Sequence, residues 1–220
     1  MGIKQRRLQN LRRRMRAKPL PLKKGARRLV FGEGAPDASV MFIGEAPGRK
    51  EDESGRPFVG LAGRELTRLI AHAGLRREDV YITSVLKYRP PKNRNPRQSE
   101  IEAHAPYLID QIRIICPQKL VTLGNFATKF ILSHFRGVSP KEVPDISLCR
   151  GTACDISIAG RRVTVMPVYH PAAVLYNRGL AGVLASDFLL ITLPGEIRQK
   201  KGGRNPVFGG SRRPPPKSFF

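Results

Sequence analysis

Apolar positions along the middle of the chain follow two alternating patterns. Short uninterrupted apolar runs predict four buried strands, at Val40 to Ile43, Val80 to Val85, Leu120 to Leu123 and Val163 to Tyr169. Between and after them, apolar residues recur at helical spacing, as at Leu66, Leu69 and Ile70. The alternation predicts an α/β fold, a three-layer α/β/α sandwich around a short, mostly parallel four-stranded sheet.

The two ends of the chain differ from this middle. Between Met1 and Gly32 there are twelve Lys or Arg residues and no acidic residue. The end of the chain is rich in Gly, Pro and Arg. We therefore predict a basic flexible arm over residues 1–28, a folded domain over 29–197 and a disordered basic tail over 198–220.

The formal net charge of +23 indicates a polyanionic partner, either nucleic acid or an anionic membrane face. No apolar run approaches the roughly 20 residues that span a bilayer, and no secretory signal is present. We expect a cytoplasmic monomer that does not bind membranes. A mitochondrial transit peptide is the alternative for the Arg-rich start, although such peptides are usually rich in Ser.

Cys116, Cys149 and Cys154 show no CxxC spacing. They are interpreted as buried structural thiols in a reducing compartment, and no metal site is predicted from them.

Polar signatures follow the carboxyl ends of the predicted strands. They are Gly44 to Gly48, Ser84 to Arg89, Gly124, and His170 with Pro171. Open parallel sheets build their sites at this edge, so these segments are expected to converge.

Each signature also has a less specific interpretation. Glu45 lies in a Gly/Pro turn, and such turns are commonly just turns. Phe58 could stack on a planar base or simply belong to the core. The five cations between Lys87 and Arg97 could grip phosphate or form a solvated loop. His170, which leaves a strand into a proline turn, is placed to donate a hydrogen bond to an anionic leaving group.

Together these residues resemble the family 4 uracil-DNA glycosylases, from about Val30 to Asp187. The motifs that carry the resemblance are Val30-Phe31-Gly32-Glu33-Gly34, Gly44-Glu45-Ala46-Pro47-Gly48, Glu51-Asp52, Gly55-Arg56-Pro57-Phe58-Val59-Gly60, the Lys87 to Pro96 loop, Leu123-Gly124, Arg150-Gly151 and His170-Pro171.

The resemblance implies a role for each site residue. Glu45 would position the attacking water, Phe58 would stack on uracil, and His170 would hydrogen-bond uracil O2. Gly44, Ala46, Gly48 and Ser84 would line the base, with Gly48 where some related enzymes carry a bulky residue that excludes thymine. The implied contacts with DNA are Lys87, Arg89, Lys92, Arg94, Pro171 and Ala172.

The sequence departs from this family at two places. The family binds a [4Fe–4S] cluster through four cysteines, but the matching positions here are Ala17, Leu20, Tyr88 and His104. We therefore expect no cluster and no other cofactor. The second departure is Ser84, which stands where the family has an Asn that reads the uracil amide edge.

The sequence thus predicts a monofunctional glycosylase that removes uracil from single- or double-stranded DNA and leaves an abasic site. Two alternatives stay open. One is a glycosylase for another deaminated base, hypoxanthine or xanthine, and the other is a non-catalytic nucleic-acid-binding protein on the same scaffold.

Overall fold

The computed structural model describes residues 1–192, which contain eight α-helices and six strands. The helices are α1 Ile3–Ala17, α2 Arg49–Ser54, α3 Leu61–His72, α4 Gln98–Ile115, α5 Asn125–Arg136, α6 Ile146–Cys149, α7 Ala173–Tyr176 and α8 Leu180–Thr192. The strands are β1 Glu33–Gly34, β2 Val40–Gly44, β3 Tyr81–Ser84, β4 Lys119–Leu123, β5 Cys154–Ile158 and β6 Arg161–Val168.

One mixed sheet runs through the domain in the order β1-β3-β2-β4-β6-β5. The four central strands are parallel, and they are the four that the apolar runs predict. The prediction of four strands in total is wrong, because antiparallel β1 and β5 extend the two edges. A tight turn with positive φ at Ala159 and Gly160 joins β5 to β6. Gly160 is the residue in the sequence that indicates this hairpin turn.

Helices cover both faces of the sheet. Successive residues of β2 alternate between them: Met41 and Ile43 join the core under α1 and α4, while Val40 and Phe42 join the core under α3 and α8. All five residues of β2 are buried, as expected for a central parallel strand. The predicted three-layer α/β/α arrangement is confirmed.

The beginning of the chain differs from the prediction of a flexible arm. Helix α1 buries Leu8, Leu11 and Met15, which share one face at helical spacing. These side chains belong to the same core cluster as Leu108 and Ile112 of α4. Three apolar positions among many charged ones are thus enough to fix this segment to the domain.

The predicted tail over 198–220 lies outside the described residues. Among residues 1–192, no helix combines the length and the apolar character needed to cross a membrane.

Candidate active site at the carboxyl edge of the sheet

The turn after β2 forms the floor of the candidate site. Gly44 is buried, and a β-carbon at this position would lie 2.6 Å from Cζ of Phe58 and 3.6 Å from Oγ of Ser84. Only glycine lets the Phe58 ring approach the strand this closely. Glu45 is half-buried beside it, and burial raises the pKa of its carboxyl group.

Phe58 itself has an unusual backbone conformation. Its φ is +51°, a region that bulky residues rarely adopt without support from their surroundings. Glu51 supplies part of that support, because one of its carboxylate oxygens accepts hydrogen bonds from the backbone N–H groups of Val59 and Gly60, both at 2.8 Å. A β-carbon at Gly63 would lie 2.0 Å from the Phe58 carbonyl oxygen, so the loop packs directly on α3.

The other side of the Phe58 loop is held by Arg77. Its guanidinium donates to the carbonyl of Pro57 at 2.7 Å and forms an ion pair with Glu33 at 3.1 Å. Glu33 also pairs with Arg56 at 2.8 Å. Hydrogen bonds on both flanks of Phe58 therefore fix its position, and Glu51 and Arg77 are contributors whose role the sequence patterns did not indicate.

His170 follows the end of β6 and lies beside the Phe58 ring. The rings of Phe58 and His170 are 5.7 Å apart between centroids. Nδ1 of His170 lies 3.1 Å from the backbone N–H of Ala172 and accepts a hydrogen bond from it. Burial lowers the pKa of His170 to about 4, with an opposing effect from Glu51. At neutral pH the ring is therefore uncharged, and because Nδ1 is an acceptor, Nε2 carries the proton.

An ion pair between Arg150 and Asp187 lies near the end of β6. Arg150 donates to Asp187 of α8 at 2.5 Å, and its guanidinium lies 5.5 Å from the centroid of the Tyr169 ring. Gly151 donates a backbone hydrogen bond to the carbonyl of Pro167 at 2.8 Å. The Arg150-Gly151 motif therefore packs against the strand that carries His170.

Ser84 ends β3 on the side of Phe58. The residue is buried, and its hydroxyl makes no hydrogen bond to any of residues 1–192. Its backbone is held by Lys87, which donates to the Ser84 carbonyl at 2.7 Å. Gly44, Phe58, Ser84 and His170 are thus brought together, as the sequence predicted.

Lys87 does not lie where the sequence predicted. Its side chain is fully buried and donates to Oγ1 of Thr83 at 2.5 Å and to Oε1 of Gln111 at 2.6 Å, in addition to Ser84. An ammonium group enclosed by these acceptors cannot reach a phosphate. The assignment of Lys87 to DNA binding is therefore wrong, and the residue belongs to the interior.

The rest of the basic loop is at the surface. Lys92 is exposed, and Arg89 is half-buried with its Nε hydrogen-bonded to Asn93 at 2.7 Å. Arg94 is paired with Glu100 of α4 through two hydrogen bonds at 2.5 and 2.9 Å. Arg94 therefore stabilises the start of α4, which reduces the charge that it can offer to a ligand.

The segment after His170 presents apolar side chains to solvent. Pro171 is buried and Ala172 is half-buried, so neither is the most exposed residue of this segment. Leu175 and Tyr176 in α7 are 48% and 90% exposed.

Three of the four positions that match the family's cluster ligands form part of the interior. Tyr88 and His104 are buried in edge-to-face contact, with ring centroids 6.0 Å apart. Leu20 packs on the same core, whereas Ala17 is exposed. These side chains contain no thiolate, and aromatic packing occupies part of the space between them. The residues present do not fit an iron–sulfur cluster.

Comparisons with known proteins identify a family model and several relatives that match this chain. The family model described as the uracil DNA glycosylase superfamily matches residues 31–189. A type-4 uracil-DNA glycosylase of Archaeoglobus fulgidus is 47% identical over 172 residues, which cover 78% of this chain and 83% of the relative. One from Sulfurisphaera tokodaii is 48% identical over 160 residues, covering 72% and 71%. One from Thermotoga maritima is 44% identical over 158 residues, covering 72% and 77%.

The protonation state of His170 can be measured directly. Because burial lowers its pKa to about 4, the ring is expected to stay neutral from pH 8 down to about 5 and to gain its proton only below that range. NMR titration of the imidazole resonances should show a midpoint near 4, and His170→Gln identifies the signal by its loss. A midpoint near the ordinary value of about 6.5 would contradict the neutral ring.

Proposed function

Since the chain belongs to the uracil-DNA glycosylase superfamily, we propose that it hydrolyses the bond between uracil and deoxyribose in DNA and leaves an abasic site. The convergence of Gly44, Phe58, Ser84 and His170 at one edge of the sheet carries this proposal. These residues cannot reach a base inside the helix stack, so the nucleotide must be flipped out first. Phe58 then stacks on the base.

His170 stabilises the leaving group. When the N-glycosidic bond breaks, its electron pair stays on the base, and the negative charge spreads to O2. The Nε2–H of His170 donates a hydrogen bond to that oxygen, since Nδ1 is already occupied by the Ala172 N–H. A neutral donor suits this step. The low pKa of His170 keeps the ring neutral at neutral pH, and the neutral ring can stabilise the anion through Nε2–H without first gaining a proton.

Glu45 acts on the sugar side of the bond. Loss of the base leaves an electron-deficient C1′, and a water molecule must reach this carbon. The half-buried carboxylate of Glu45 holds that water and accepts a proton from it as the bond between the water oxygen and C1′ forms. Burial raises the pKa of Glu45, which strengthens it as a base.

The enzyme stops after hydrolysis. A lyase step would need an accessible amine to attack C1′. Lys87 lies three residues after Ser84 in sequence, and burial with three hydrogen-bond acceptors keeps it from the substrate. This supports a monofunctional glycosylase.

We further propose that the protein binds both single- and double-stranded DNA. It acts as a monomer in the cytoplasm. Arg89 and Lys92 contact phosphates beside the site, and the segment from Pro171 to Tyr176 enters the space that the flipped base leaves. The exposure of Leu175 and Tyr176 supports this role.

A glycosylase for hypoxanthine or xanthine is the second candidate, and Ser84 favours it. The free hydroxyl of Ser84 offers one strong contact at a time, whereas the family's Asn offers a donor and an acceptor together. We also propose that catalysis uses no iron–sulfur cluster, because none of the residues at the ligand positions supplies a thiolate.

The first test is excision itself. Single-turnover rates on single- and double-stranded oligonucleotides with uracil, hypoxanthine or xanthine should be highest for uracil. His170→Ala should slow uracil excision by about 100-fold or more, since it removes a leaving-group hydrogen bond, with DNA affinity nearly unchanged. The exposed His72→Ala serves as the matched control. Parental rates for His170→Ala would refute the role of His170.

The second test concerns base selectivity. Ser84→Asn adds a donor and an acceptor at the base edge and should raise uracil excision relative to other bases. The gain corresponds to about 1 to 3 kcal/mol, or roughly 5- to 150-fold in rate ratio. Ser84→Ala, which only removes the hydroxyl, is the control. If Ser84→Asn folds but excises uracil more slowly relative to the other bases, the base-binding site is built around the Ser84 hydroxyl.

The third test concerns the cluster. The purified protein is expected to be colourless, to contain substoichiometric iron and sulfide, and to keep its excision rate after incubation with a strong chelator. A brown preparation with stoichiometric iron and sulfide would contradict this expectation.

A further inference from the structure

The path of α1 brings the start of the chain toward the candidate site. Near its beginning, Lys4 donates to the carbonyl of Ile115 at 2.8 Å, at the end of α4. Further along, Arg14 contacts Asp110 at 3.2 Å. The two helices are therefore antiparallel. Because α4 begins just after the basic loop that follows β3, α1 ends near the carboxyl edge of the sheet, where the site lies.

Residues 16–28, which we call the N-terminal rim, continue from this helix end to the site. Near its start, Leu20 of the rim packs against the core cluster that contains Tyr88, the residue before Arg89. At the other end, the N–H of Val30 donates to the carbonyl of Lys87 at 2.9 Å. The rim is thus fixed to the domain at both ends.

A buried carboxylate holds the last part of the rim. Oδ1 of Asp52 accepts hydrogen bonds from the backbone N–H groups of Arg27 at 2.9 Å and of Arg28 at 3.4 Å. Asp52 lies in α2, next to Glu51, whose carboxylate supports the Phe58 loop. The side chain of Arg28 also packs over Gly55, where a β-carbon would lie 3.4 Å from its Cδ. Arg27 and Arg28 therefore lie beside the Phe58 loop.

The two guanidinium groups are available to a ligand. Both residues are exposed, and their side chains make no hydrogen bond or salt bridge with any of residues 1–192. Lys4 and Arg14 of α1, in contrast, pair with Asp37 and Asp110. Cations whose backbone is anchored and whose charged groups are free suit the contacts that position a protein on a phosphate backbone.

We propose that the N-terminal rim, chiefly Arg27 and Arg28, binds phosphates of the DNA strand next to the flipped nucleotide. The inference rests on the proposed function in one respect, that DNA is the ligand. The rim is then a fixed wall of the DNA-binding surface, and its position relative to Phe58 sets where the strand crosses the site.

The test compares two double variants with equal loss of charge. Arg27→Gln/Arg28→Gln removes the rim cations, and Arg6→Gln/Arg7→Gln removes two exposed cations from the opposite end of α1. Affinity for an oligonucleotide containing an abasic site is measured by fluorescence anisotropy over a range of salt concentrations. Thermal unfolding checks that all variants keep the parental fold.

The rim variant should lower the slope of log affinity against log salt by about 1.8, from roughly 0.9 per phosphate contact, and weaken binding at 0.1 M salt by up to about 60-fold. The control variant should change the slope much less. Single-turnover excision by the control variant at saturating enzyme should stay within about twofold of the parent, since its two substitutions lie at the opposite end of α1 from the site.

Equal effects of the two double variants would overturn the proposal, because they would show that only total charge matters. An unchanged slope in the rim variant would overturn it too. The binding measurement does not depend on catalysis: if the protein excised no uracil, the proposed function would fail while the salt slopes still decided whether the rim contacts DNA.

Discussion

The close approach of the Phe58 ring to the backbone of Gly44 organises the candidate site. The ring occupies the volume that a side chain at Gly44 would need, and it thereby joins the end of β2 to the loop before α3. This contact requires a left-handed backbone at Phe58, which costs on the order of 1 to 3 kcal/mol. Glu51 and Arg77 offset that cost by bonding the residues on either side.

A second constraint lies beneath the site, in the polar network of Lys87. Its ammonium joins the end of β3 to Gln111 of α4, and Gln111 in turn donates to the carbonyl of Phe31 at 2.8 Å. Thr83 donates to the same carbonyl at 2.9 Å. Buried polar groups need such partners, and a fully bonded network fixes the backbone that carries it. Ser84 is held by this network through its carbonyl, which leaves its hydroxyl free.

The packing around Tyr88 and the order at the start of the chain are connected. Leu20, Tyr88 and the buried face of α1 belong to one core cluster. Apolar packing here joins residues from the start of the chain to the segment after β3 and to α4. Hydrophobic contact thus connects these distant parts of the chain, and the N-terminal rim begins at the end of α1.

The central strands, the helices that cover them and the residues at the carboxyl edge could be predicted from the sequence, because periodicity and chain order determine which segments meet there. Tertiary structure alone decided the roles of Lys87, Arg94 and the N-terminal segment. A lysine or arginine looks the same in sequence whether it faces solvent or a buried acceptor, and three apolar residues in a basic helix give too weak a pattern. Their burial depends on partners distant in sequence, such as Gln111 for Lys87 and Leu108 for Leu11.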